Sequence, residues 1–273
     1  MYQLRKIVPT PVKQLLQIMR YATMFADARS FFLYLQVIQQ KTVSDSAAGF
    51  LDLRIRQLDR QSIRIRTRGR DAQVIFSTFF YRFHLPPSDI VSPDALTILD
   101  LGANIGCTIA HLAHIFPAAT ILGVELDREN ALLARLNIQP WSNRCRIVEG
   151  AVWPFDGEVQ YEHSDTNQDG YTATARQPQG ATNCTKYAQA FSIETLCNTY
   201  LPGREIDFVK MDIEGAERSV LKQNTAWAHR IRCIKIELHG YEKRECIADL
   251  NNLGIKALPD ARHPDAVVGA RRM

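Results

Sequence analysis

Residues 97–106, TILDLGANIG, carry an aspartate, Asp100, inside an apolar run that breaks into Gly102, Asn104 and Gly106. A strand that ends in a glycine turn and opens a helix offers backbone amides to a ligand, and glycine lets the backbone approach closely at positive φ. The next apolar run, TILGVELD at 120–127, ends in a second acid, Glu125, and a third, CRIVEGAV at 145–152, ends in the small residues Gly150 and Ala151. This spacing suits a nucleoside-bearing ligand. The glycine turn takes its polar end, Glu125 accepts hydrogen bonds from ribose hydroxyls, and Gly150 and Ala151 leave room for a base.

Two ligands bind at such turns, and they make opposite demands on Asp100. A dinucleotide needs GxGxxG. Counted from Gly102, the later glycines fall where the chain has Asn104 and Cys107, and a pyrophosphate would be repelled by Asp100. S-adenosyl-L-methionine (SAM) carries a sulfonium, an ammonium and one carboxylate. Asp100 favours its ammonium, and the amides of Ala103–Gly106 at the helix start suit its carboxylate.

These residues need a scaffold of alternating strands and helices. The apolar runs 98–101, 121–125, 145–148, 207–212 and 231–238 are predicted strands. Predicted helices cover 105–116, from Asp127 to 138, from Ser192 to 200, 214–223 and 241–252. The fold class is therefore α/β, a doubly wound, mostly parallel Rossmann-like sheet with sites at the carboxyl ends of its strands. Residues 158–162 form a hairpin strand, and the polar segment 163–185 is long enough for a binding loop that walls the acceptor.

The N-terminal part differs. Val12–Ile38 has apolar residues at helical spacing. In 51–70, Leu53, Ile55, Ile63 and Ile65 alternate with Arg54, Arg56, Arg64 and Arg66, which predicts two half-buried strands turning near Asp59–Gln61 with the arginines on one face. The first 70 residues hold 13 lysines and arginines against four aspartates, a net of +9 in a chain of +4. Such a face can meet an anionic group or a membrane surface, but it lacks the interleaved aromatics that nucleic acid would call for. The expected division is a helical and hairpin cap over 1–90, helping to close the acceptor site, a SAM-binding domain over 91–258, and a tail over 259–273. The six cysteines, Cys107, Cys145, Cys184, Cys197, Cys233 and Cys246, lack CxxC spacing. They predict free thiols and a cytoplasmic, at most membrane-peripheral, protein. No secretory signal and no membrane-spanning run is visible.

The run DFVKMDIEGAE at 207–217, with LDLGANIG at 99–106, VELD at 124–127, EGAV at 149–152 and IELHG at 236–240, resembles the FkbM-type SAM-dependent methyltransferases. The resemblance spans residues 63–240. It implies the class I methyltransferase fold, SAM as donor, and methylation of a hydroxyl on a sugar, polyketide or other secondary metabolite. By resemblance and position, Asp100, Gly102, Ala103, Asn104, Gly106, Glu125, Gly150 and Ala151 form the cofactor set. Asp212, Glu214 and His239 face the transferred methyl, with His239 the first candidate for a general base because an imidazole titrates near working pH. Glu217 is assigned chiefly to favouring the start of the helix that follows. No metal is expected, because Asp212 is followed by Ile213-Glu214 and no Asp-Asn pair lies near a strand end; Asp165 and Asp169 offer only weak oxygen ligands. Three alternatives stay open: a nitrogen acceptor on the same fold, a nicotinamide-dependent oxidoreductase, and a non-catalytic SAM-binding scaffold.

Overall fold

Alternating isoleucines and arginines build the hairpin expected in the N-terminal part. Strand β1 (Phe50–Arg54) pairs antiparallel with β2 (Ser62–Arg66), with Leu53 opposite Ile63. Leu53, Ile55, Ile63 and Ile65 are wholly buried, each contributing about 1.5–3 kcal/mol of apolar burial. Asp59 and Arg60 turn the chain at φ 49° and 69°. Residues 17–22 and α1 (Ala28–Gln39) are helical, as is α2 (Asp71–Phe76), which runs into a π turn at Ser77–Tyr81. The arginines of this hairpin have local partners. Arg64 makes a two-pronged pair with Asp52 at 2.9 and 2.8 Å, and Arg66 does the same with Asp71 at 3.0 and 2.7 Å. Arg56 donates to the Phe25 carbonyl, and Arg54 lies 4.0 Å from Asp27. The face expected to grip an anion is thus engaged within its own unit.

The computed structural model describes residues 17–39, 49–162, 173–175 and 185–271. It divides into two units, Met1–Arg82 and Phe83–Met273, so the boundary falls before the expected residue 90. No helix among the described residues is long and apolar enough to cross a membrane.

In the second unit, the five strands read from the sequence are present, and two C-terminal strands join them. The strands are β3 (Thr97–Leu101), β4 (Thr120–Glu125), β5 (Cys145–Glu149), β10 (Phe208–Met211), β11 (Cys233–Glu237), β12 (Lys256–Pro259) and β13 (Ala266–Ala270). They form one sheet in the order β12-β13-β11-β10-β3-β4-β5. The five strands from β11 to β5 run parallel, and β13 is antiparallel to its neighbours. The helices of this unit are α3 (Cys107–Ile115), α4 (Arg128–Asn137), α5 (Ile193–Tyr200), α6 (Glu217–Lys222) and α7 (Lys243–Asn252). Asp127 and Ser192 cap α4 and α5 as their types predict.

Period two splits each strand between two cores. Leu99, Leu101, Val209 and Met211 enter one, and Ile98, Ile121 and Phe208 enter the other with Ile109, Leu112 and Ala134 of α3 and α4. All five residues of β3 are buried, as covering both faces requires. Connections wind one way from β3 to β5 and the other way from β10 to β11, so the topological switch point lies between β3 and β10.

Two expectations are corrected. The segment expected as a tail from 259 returns as β13 between β11 and β12, burying Val267 and Val268. Its short apolar run between turns has too few residues for a period to show. The expected strand at 158–162 is not a lone hairpin: β7 (Gly157–Glu162) joins β6 (Ala151–Val152), β8 (Ala173–Ala175) and β9 (Thr185–Phe191) in a second sheet, ordered β6-β9-β7-β8. The expected acceptor loop, with Asp165 and Asp169, lies outside the described residues except for 173–175 and 185. Cys107, Cys145, Cys197, Cys233 and Cys246 are buried free thiols; Cys184 lies outside the described residues.

Candidate active site

At the switch point, Asp100 on β3 sits opposite Lys210 on β10. Both side chains follow Ile98 and Phe208 onto the α3 face. Asp100 has no exposed surface; it accepts from Thr108 of α3, and its other oxygen lies 3.4 Å from Lys210 Nζ. Burial pushes its carboxyl up, against the pull of Lys210 and Thr108. Lys210 also donates to the Gly102 carbonyl at 2.7 Å and pairs with Asp212 Oδ2 at 3.1 Å. Burial opposes its charge, but Asp100 and Asp212 prevail and hold it above the ordinary lysine range. Lys210 escaped the sequence reading, although a charge inside the apolar run FVKM was its signal.

The amides of the glycine turn are bonded to β4 and to the turn itself. The amides of Gly102 and Ala103 both donate to the Val124 carbonyl, Asn104 N to Glu125 Oε2, Ile105 N to the Asn104 side chain, and Gly106 N to Ala103 O. The four amides of 103–106, expected to meet a ligand carboxylate, are therefore taken by the chain. Gly102 stands at φ +86°, and a Cβ there would lie 1.8 Å from the Asp212 carbonyl. The close approach that needs glycine is between two strand ends. Glu125 is buried and accepts from Asn104 N at 2.7 Å and Asp127 N at 2.9 Å, with the Asn130 amide at 3.5 Å. Burial raises its carboxyl to about 7 despite these donors. Four lone-pair sites on the carboxylate leave capacity for a further donor. At Gly150 β9 comes close: a Cβ there would meet Gln189 O at 2.6 Å and the Phe191 ring at 2.7 Å. Ala151 begins β6 and is buried.

At the ends of β10 and β11 the structure brings together Asp212, Glu214 and His239. His239 Nε2 lies 3.7 Å from Asp212 Oδ1 and 3.5 Å from Glu214 Oε2. Its Nδ1 lies 3.0 Å from Glu217 Oε1, and Glu217, wholly buried at the start of α6, also accepts from the amides of Ile213 and Gly215. Glu217 does cap a turn, as expected, but it also holds the histidine, which the sequence alone did not reveal. Glu214 sits at φ 52°. Burial raises it to about 7, with His239 opposing and Asp212 reinforcing. Burial would lower His239, but the Glu217 hydrogen bond and the charges of Asp212 and Glu214 outweigh it and hold the ring at about 9. The expectation that this imidazole titrates near neutrality is corrected accordingly. Glu237, closing β11, is pushed to about 7 by burial and by Asp212.

The crevice end of β10 and β11 is therefore rich in carboxylates. Asp212, Glu214, Glu217 and Glu237 surround Lys210 and His239, with Asp100 behind them. A ligand that carries positive charge fits this donor set; a pyrophosphate does not.

The model of the FkbM methyltransferase domain matches residues 100–263. The tRNA1(Val) (adenine(37)-N6)-methyltransferase of Pedobacter heparinus is 28% identical over 105 residues, 38% of this chain and 45% of that protein, so the match spans less than half of the relative's length. Among solved structures, the precorrin-6y C5,15-methyltransferase of Geobacter metallireducens is 11% identical with a TM-score of 0.41, covering 66% of this chain and 81% of that one. A methyltransferase of Geobacter sulfurreducens is 12% identical with a TM-score of 0.39, covering 66% and 72%. Likenesses this distant have no bearing on substrate.

Proposed function

The chain belongs to the FkbM methyltransferase domain family, and on that premise we propose that it methylates a hydroxyl of a small molecule, sugar or secondary metabolite. SAM is the cofactor of this fold and family, and when bound it supplies a methyl group already activated by its sulfonium. The observation that carries the reading is the carboxylate-rich crevice at the switch point, which favours a cationic donor and disfavours a dinucleotide. Asp100, Gly102, Ala103, Asn104, Gly106, Glu125, Gly150 and Ala151 frame the donor side, with Glu125 keeping acceptor capacity for ribose hydroxyls. Asp212, Glu214 and His239 form the acceptor side. Holding the acceptor oxygen in line at about 3–3.5 Å supplies much of the rate. Proton removal from an unactivated alcohol by this cluster adds roughly 10²–10⁴-fold.

Calorimetric titration with S-adenosylhomocysteine, with NAD as control, tests the donor. Micromolar binding of the homocysteine alone is expected, and binding of NAD alone would overturn the reading. Transfer of a labelled methyl to a panel of hydroxylated metabolites and sugars then tests the acceptor. A nitrogen acceptor is the second reading, favoured by the N6-directed name of the Pedobacter relative. Mass spectrometry of the product, a methyl ether or a methylamine, separates the two.

A further inference from the structure

The gap between Asp212, Glu214 and His239 is not closed by hydrogen bonds. The Nε2–oxygen separations of 3.7 and 3.5 Å are long for an N–H···O bond, yet the three facing atoms lie within 4.8 Å of one another. One ion held about 2.0–2.2 Å from each atom leaves spacings of about 3–4 Å between them. A second, independent feature lies behind the ring. Nδ1 is held by Glu217, which is itself wholly buried and locked by two backbone amides. A carboxylate on the far nitrogen of a histidine is the outer-shell arrangement that sets the tautomer and turns the lone pair toward a metal. Lys210 holds Asp212 through Oδ2, which leaves Oδ1 turned to the histidine.

We propose that Asp212, Glu214 and His239 form a binding site for a first-row divalent cation, with Glu217 as the residue that orients His239. One imidazole and two carboxylates suit Mn²⁺, Fe²⁺ or Zn²⁺ better than Ca²⁺. Three protein ligands leave open positions on the ion, where an acceptor oxygen can be held. The site departs from the metal-free expectation, which rested on a missing Asp-Asn pair. Here the second strand end supplies a histidine instead, and a carboxylate two residues after Asp212 completes the set.

The test is titration of the full chain with Mn²⁺ alone, followed by electron paramagnetic resonance and calorimetry, with no SAM present. One site per chain is expected. His239→Ala and Asp212→Asn should each weaken binding at least tenfold, and Glu217→Gln, which keeps the shape of the side chain, roughly 10–100-fold. Thermal melting of each variant shows that it is folded; if Asp212→Asn fails to fold because Lys210 loses its partner, Glu214→Gln carries the same test. Failure of the wild-type chain to bind either Mn²⁺ or Zn²⁺, or undiminished binding by His239→Ala, would overturn the site. The result is separable from the methyl-transfer reading. Binding of S-adenosylhomocysteine by a chain that binds neither Mn²⁺ nor Zn²⁺ overturns the metal site alone, whereas Mn²⁺ bound and lost in His239→Ala supports it whether or not S-adenosylhomocysteine binds.

Discussion

At the ends of β3 and β4 the polar groups are spent on one another. Glu125 accepts from Asn104 and Asp127, Asp100 from Thr108, and the amides of 102–106 all find partners within the chain. At the ends of β10 and β11, the partly exposed side chains of Asp212 and Glu214 face His239 across 3.7 and 3.5 Å. Both halves are acidic, and both stand at strand ends beside one switch point. The first set is buried and bonded; the second is spaced apart and partly open. Lys210 joins the halves, contacting Gly102 and Asp100 on one side and Asp212 on the other.

The most severe way to break this arrangement is at the seam. Gly102→Ala would set a Cβ 1.8 Å from the Asp212 carbonyl at φ +86°. Both strand ends should move, at a cost of ~3 kcal/mol or more, lowering Tm by roughly 6–12 °C in a thermal melt. Next is the open half. His239→Ala should lower turnover by about 10²-fold, through lost positioning at the acceptor side, while S-adenosylhomocysteine affinity stays within roughly threefold. An equal loss of affinity would mean that the two halves act as one. Glu125→Ala tests the packed half in the same assay, with an expected loss of about 10–100-fold in homocysteine affinity.

A smaller handle on the packed half is pH. His84 lies 3.1 Å from His111 of α3 and is buried. Burial, then His111 and the charges of Lys210, Lys235 and Arg262, hold it well below 6.5. A group with a depressed folded pKa contributes stability that is complete above its unfolded pKa and is lost as pH falls toward the folded one. Tm should therefore decline below pH 6.5, and His84→Gln should flatten that decline. The smallest effect is expected outside both halves. Arg64→Ala removes an exposed pair with Asp52 and should shift Tm by no more than about 2 °C.

Much of this was legible in the residues because local physics dictated it. Period two in 51–66 named the buried side of the hairpin, Asp127 and Ser192 announced their helices, and the acids closing apolar runs marked the crevice. The bonding of the glycine turn was not legible, because its partners Val124 and Glu125 are supplied by another strand. Nor was the close approach of β9 to Gly150, since a missing side chain does not say what lies beside it. The C-terminal strand was missed because AVVGA is too short to show a period and takes its place only by pairing with β11 and β12.

The sequence by itself therefore determined the five parallel strands of the doubly wound sheet, the helices between them and which residues stand at their ends, because those follow from periodicity, caps and turns within a dozen residues. Tertiary structure alone decided which acids are buried and bonded and which stay partly open. That distinction rests on burial and on partners from distant segments: Lys210 crossing from β10 to Asp100, and Glu217 turning His239 toward Asp212 and Glu214.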